Sequence, residues 1–328
     1  MAETQVYQGK VWKTKMGEKL QQAYEELVII DKKNIEEQVN ISTISIIAPV
    51  VKFILKIKTH LKTPKKNLKN LDYHLAEHCN LNCKNCDHFS PIAKPCLAKI
   101  EDFERDIKRF AQISRQKLYK LNLLGGEPLL NPQIIDFMRI ARENLPKTKI
   151  RIITNGILLN EQKEDFWHAC NKYDIKIVVT KYPIKLDFEK IKNTAKKHNV
   201  KFKFYGETGG VTKTSYHLPL DLKGQQNISE NFANCFHANR CVMLKNGKIY
   251  PCTVAPNIEH FNKFFGYEIP LTDQDGIDIH TTEDIKEVLK FLAKPIPFCK
   301  YCNVKCRTFG HEWEISEKKE EEWRIKNA

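Results

Sequence analysis

From residue 71 to residue 206, short apolar runs alternate with longer amphipathic ones, and this rhythm limits the fold more than any other feature of the chain. The runs at 71–76, 119–124, 150–154, 175–180 and 200–205 read as strands. The segments 99–116, 132–144, 161–173 and 187–198 between them carry apolar residues at helical spacing. Strand–helix alternation predicts parallel βαβ units in an α/β fold. Five strands fall short of a closed eight-stranded barrel, so an open or partial barrel is expected. Its chemistry then belongs at the C-terminal ends of the strands.

Around this core the composition sets limits. Hydrophobic residues make up 41% of the 328 and charged residues 29%, enough for a sizeable core and against wholesale disorder. The formal charge of +14 makes the surface attractive to anions without saying which. Eleven cysteines in a chain this long are not the staples of a miniprotein. Residues 1–30 hold no secretory h-region, and the most apolar stretch, 46–57, is shorter than the ~20 residues of a membrane span. The expectation is a cytoplasmic protein whose cysteines bind metal or act in catalysis.

The chain divides by pattern. Residues 1–70 read as a helical, basic extension, 71–206 as the βα core, 207–234 as a linker, 235–309 as a small cysteine-rich domain and 310–328 as a charged terminal helix. Within the small domain, Asn246-Gly247 between two short apolar runs predicts a β-hairpin.

Cys79, Cys83 and Cys86 follow the first predicted strand with C-x3-C-x2-C spacing. Three thiolates so close can hold three irons of a [4Fe–4S] cubane and leave the fourth open, whereas structural zinc sites are closed by four ligands. A zinc knuckle completed by His78 or His88 is the competing reading. The second strand ends in Gly125-Gly126-Glu127-Pro128. Paired glycines let backbone approach a ligand, and the glutamate can take a cationic amine. The third strand ends in Thr154-Asn155-Gly156. Each turn alone reads as an ordinary strand-to-helix connection. Together they put polar, glycine-bearing turns on one rim with the cysteines.

On these three motifs the chain resembles the radical S-adenosylmethionine (radical SAM) superfamily. The resemblance implies a partial (β/α)6 barrel in which Cys79, Cys83 and Cys86 hold a [4Fe–4S] cluster whose open iron chelates S-adenosylmethionine. It further implies that Gly125, Gly126 and Glu127 lie along the methionine moiety, with Thr154, Asn155 and Thr180 near the ribose. The residue before the third cysteine is usually aromatic in the family and here is Asn85; Phe89 is a candidate replacement ring. The later cysteines resemble the SPASM and twitch auxiliary-cluster domains, which implies a second [4Fe–4S] cluster. Cys235, Cys252, Cys299 and Cys302 are the preferred ligands, Cys241 competes with Cys235, and Cys306 is spare. A zinc ribbon on the same sulfurs stays open, because spacing does not separate iron from zinc. Cys96 and Cys170 read as ordinary small side chains.

The resemblance also implies an enzyme. One electron, from a donor such as flavodoxin or ferredoxin, splits S-adenosylmethionine to a 5′-deoxyadenosyl radical that takes hydrogen from a substrate. The preferred substrate is a small polar metabolite, a sugar, cyclitol or nucleotide-linked compound. Peptide or tRNA/rRNA modification and a non-catalytic zinc or iron–sulfur protein are the alternatives. From 41 to 70 there are seven lysines and no acid. This stretch reads as a helix packed on the barrel or as one lying on an anionic membrane surface, and the packed reading is preferred. Pro49 would then have to sit in the helix's first turn. No nucleic-acid-binding module is recognised, so nucleic acid is not an expected partner.

Overall fold

A computed structural model describes residues 41–205 and 213–324. The first forty residues of the basic extension and residues 206–212, where the rhythm was expected to stop, lie outside the described residues. Helix α1 (Ile41–Lys62) crosses the boundary between two compact units, 1–54 and 55–328. Pro49 lies inside α1 and not in its first turn, so the helix forgoes one backbone hydrogen bond there. The C-terminal end of α1 is partly buried, with Ile54 its one buried residue among 51–62. Lys58 donates to the Asn234 side chain at 2.9 Å and Lys62 to the Cys235 carbonyl. Burial brings the Lys62 ammonium down to about 8. Among the described residues no helix is long and apolar enough to cross a membrane.

The βα core follows in the expected order: β1 (Leu68–Ala76), α2 (Ile100–Ser114), β2 (Leu118–Gly125), α3 (Ile134–Asn144), β3 (Lys149–Thr154), α4 (Glu164–Lys172), β4 (Ile175–Val179), α5 (Phe188–Lys197) and β5 (Lys201–Phe204). The first turn of α2 carries Glu101 and Asp102 beside its unpaired amides, and Phe103, Ile107 and Phe110 form its buried stripe. All neighbouring pairs from β1 to β5 are parallel. One face of this sheet, with Leu121, Leu123, Ile150, Ile152, Ile175 and Ile177, shares a core with Phe103, Phe110, Phe137 and Phe166 of the helices. The other face carries the register partners Asp72, Asn122, Arg151, Lys176 and Lys201.

The remainder departs from the expected division. Residues 213–234 are not a bare linker: β6 (Ser215–His217) and α6 (Ile228–Asn234) lie there. The predicted hairpin forms as β7 (Met243–Lys245) and β8 (Lys248–Tyr250), with Asn246 and Gly247 both at positive φ. It joins the parallel sheet directly, β7 lying parallel to β1. With β9 (Ile277–Asp278) the order is β5-β4-β3-β2-β1-β7-β8-β9. Helices α7 (Val254–Phe265) and α8 (Ile285–Leu292) complete the region.

Residues 310–328 do not form the expected helix over their described part. Strand β10 (Thr308–His311) pairs with β6, and a single 3-10 turn follows at Glu320–Glu322. Side-chain capture explains this. Glu322 is buried and accepts from the Glu317 amide at 2.7 Å and the Ser316 hydroxyl at 2.5 Å, and Trp323 sinks into a second core. That core also holds Phe89, Phe232, Phe261 and Phe298.

Candidate functional site

The three-cysteine loop lies between β1 and α2, and the turn after β2 fixes its path. A Cβ on Gly125 (φ +145°) would stand 2.2 Å from the Ala76 carbonyl oxygen, and one on Gly126 would stand 2.1 Å from that of His78. The Gly126 amide donates to Ala76 at 2.8 Å and the Glu127 amide to His78 at 3.1 Å. The glycines therefore dock one turn on another, where the sequence suggested approach to a ligand. Asn85 has φ +59°, a conformation asparagine tolerates better than most residues. Phe89 does not replace the missing ring. It is buried in the second core, against Phe261 and Trp323 at centroid distances of 6.0 and 6.2 Å.

Burial pushes all three thiols up, Cys86 to about 12, and the neighbouring thiolates raise Cys79 and Cys86 further. The Trp313 indole and the Tyr182 hydroxyl, lying beside its sulfur, oppose this at Cys83. Glu127 is fully buried, and its carboxylate is already engaged. It accepts from the Thr154 hydroxyl (2.7 Å), the Asn155 amide (2.9 Å) and the Leu129 amide (3.1 Å). Burial raises it to about 7 against these bonds. Glu127 thus also ties the ends of β2 and β3 together. Thr154 is spent in the same tie. The Asn155 side chain turns towards the cysteine loop, 2.7 Å from Asn80 Oδ1 and 3.7 Å from Cys79 Sγ. The Thr180 amide donates to the Thr154 carbonyl at 3.0 Å, which places it on the same rim.

The C-terminal segment, which sequence reasoning missed here, also holds the loop. The Lys84 amide donates to Glu314 (3.0 Å), the Ser316 amide to Asn82 (2.9 Å) and the Trp323 indole to the Cys86 carbonyl (2.8 Å). Two tryptophans in an otherwise charged tail were the available signal. A second missed group is Glu77, just before the motif. It meets His260 at 2.9 Å and His74 and Lys245 at 3.2 Å in a cavity of about 370 Å³. Burial is outweighed there, and these partners hold the carboxyl well below its usual range.

The second cysteine set converges from three segments. Cys235, Cys252, Cys299 and Cys302 are electrostatic neighbours, and Cys241 lies within reach of Cys235 and Cys252. Cys306 is exposed. Asn231 braces the last pair, donating to the Cys299 carbonyl at 2.7 Å and also to that of Cys302. Among the described residues, no three cysteine sulfurs lie within 4.8 Å of one another. A tetrahedral zinc needs sulfurs about 3.8 Å apart, from Zn–S bonds near 2.3 Å. A polar bridge joins the sets. Asp87, next to Cys86, pairs with His237 Nε2 at 3.0 Å and accepts from Tyr216 at 2.6 Å, while His237 also lies against Cys235. Burial alone would raise the Cys235 thiol, but the His237 contact brings it down to about 7.

Residues 73–179 match the family model of the radical SAM superfamily. That match takes in the three-cysteine loop and the turns after β2 and β3. It is 31% identical over 103 residues to a GTP 3′,8-cyclase of Clostridium perfringens, a match covering 30% of this chain and 31% of that protein. A probable GTP 3′,8-cyclase of Pyrococcus abyssi is 33% identical over 100 residues, 30% of this chain and 31% of that one. The chain thus spans about a third of the length of the curated relatives it matches. Among solved structures, BtrN in complex with AdoMet and 2-DOIA superposes with a TM-score of 0.43 at 15% identity, over 79% of this chain and 98% of that one. Native anSMEcpe with bound AdoMet gives 0.43 at 15% identity, over 71% and 82%.

Proposed function

We propose that the protein is a radical SAM enzyme acting on a small polar metabolite, a sugar, cyclitol or nucleotide-linked compound. The observation that carries this reading is the convergence of three unpaired thiols, Cys79, Cys83 and Cys86, on the rim where β1, β2 and β3 end. Those thiols would hold the first [4Fe–4S] cluster, and Cys235, Cys252, Cys299 and Cys302 a second, with Cys241 as the alternative to Cys235. When bound, the first cluster and S-adenosylmethionine supply one-electron reductive cleavage of a sulfonium and, through it, hydrogen abstraction from an unactivated carbon.

The chain's own residues prepare the site for this. Glu127 locks the β2 turn to Thr154 and Asn155, so the rim is rigid before any ligand arrives. Asn155 reaches over Cys79, and Tyr182 and Trp313 lie beside Cys83. Gly125 and Gly126 keep the cysteine loop against the sheet. A one-electron donor such as flavodoxin or ferredoxin would serve the first cluster. The relatives' name, GTP 3′,8-cyclase, favours the nucleotide-linked members of the substrate class.

The test is 5′-deoxyadenosine formation from S-adenosylmethionine by anaerobically reconstituted protein with dithionite. Wild type should form it, and Cys79→Ala, Cys83→Ala and Cys86→Ala should each reduce it to background. Undiminished product in all three variants would overturn the assignment.

A further inference from the structure

We infer that the polar face of the parallel sheet is a binding site for a phosphoryl-bearing small molecule, held by Lys120, Arg151, Lys176 and Lys203. This rests on the radical SAM reading, since the site lies below the rim assigned to the cysteines and would seat the substrate there. The register sets the geometry. Asn122, Arg151 and Lys176 are partners across β2, β3 and β4, so they share one face, opposite the face packed on the helices. Lys120 stands two residues before Asn122 on the same face, and Lys203 is the partner of Val178, two residues past Lys176. Two of them feel their neighbours: Lys120 is lowered by burial and then by Arg151 and Lys203, and Lys176 by burial and then by Lys203 and Arg151.

What makes this a site is the lack of countercharge. Among the described residues none of the four has a carboxylate within ion-pair distance, although all are half-buried. Lys201, on the same face at the sheet edge, is by contrast paired with Asp174. The one acid facing the group, Asp72, is reached only through Asn122. Asn122 donates to it at 2.5 Å and accepts from Arg151 Nε at 2.8 Å. That chain aims the Arg151 guanidinium across the face. Four half-buried cations repel one another, and an anion carrying two or more charges relieves that repulsion best. A phosphoryl group or diphosphate matches this demand, with the planar guanidinium placed for two-point contact. Arg151 is three residues before Thr154, about 10 Å at ~3.3 Å per residue. A phosphoryl group bound there would leave the body of a small metabolite extending towards the rim.

The experiment is calorimetric titration of the reconstituted full chain, with S-adenosylmethionine present and ionic strength held constant. The probes are inorganic pyrophosphate and citrate. Pyrophosphate should bind saturably and more tightly than citrate. The double variant Lys176→Gln/Lys203→Gln should weaken it at least about tenfold, while Lys108→Gln/Lys196→Gln, exposed on α2 and α5, should leave it unchanged. Iron content on the same samples reports whether the variants fold. Absent pyrophosphate binding, equal or tighter citrate binding, or equal weakening in both double variants would overturn the proposal. Should pyrophosphate binding depend on Lys176 and Lys203 while wild type fails to cleave S-adenosylmethionine, the anion site stands and the radical reading falls.

Discussion

Asp72 shows how a single side chain can be set against its surroundings. It is buried on the polar face of β1, and burial raises it to about 7, despite the Asn122 hydrogen bond and the nearby Arg151 and Lys120. Because the folded value lies above the ordinary 3.8, the native state binds more protons than the unfolded chain between about pH 4 and pH 7. Stability contributed at this site is therefore greatest at low pH and falls as pH rises through that window. Asp72→Asn keeps the acceptor for Asn122 and removes the charge. We expect it to raise the denaturant midpoint at pH 8, by up to about 4 kcal/mol, and to have a smaller effect at pH 5. Equal or lower stability of the variant at both pH values would show that the charged carboxylate is well accommodated. The residue type was legible in the sequence as one polar position in an apolar strand. Its environment was not, because it depends on Asn122 and Arg151 from two other strands.

At the scale of elements, the turn after β2 carries the greatest demand. Gly125 and Gly126 meet carbonyl oxygens of the β1 loop, and backbone cannot move aside as a flexible side chain can. Gly126→Ala should cost several kcal/mol and dislodge the cysteine loop, seen as a large fall in both thermal midpoint and bound iron. Gly266 ends α7 at φ +76° with nothing within 4 Å of an added Cβ. Gly266→Ala should cost only about 1 kcal/mol of backbone strain and keep full iron content. Comparable losses in the two variants would mean that the β2 turn does not hold the loop. The glycine pair was conspicuous in the sequence. Its partner was not, since nothing local shows that Ala76 and His78 pass beneath it.

Taken as a whole, the molecule brings two cysteine sets into one compact unit and joins them through Asp87, His237 and Cys235. The ligand count predicts about eight irons per chain after reconstitution, four from each cluster. Cys299→Ala/Cys302→Ala should fall to about four while the first cluster remains. About four irons with one tightly bound zinc in wild type would instead make the second site a zinc ribbon without a redox role.

The sequence by itself determined the parts whose physics is local. The strand and helix rhythm from 71 to 206 follows from side-chain periodicity, the 246–247 hairpin from two residues that tolerate positive φ, and the three-cysteine loop from its spacing. Tertiary structure decided whatever depends on segments distant along the chain. It joined β7 to β1, turned the charged tail into a clasp over the cysteine loop, sealed Glu127 inside the rim and gathered Cys235, Cys252, Cys299 and Cys302. In each case the deciding quantity is a desolvation or a close backbone approach. Neither is defined until the fold brings its two partners together.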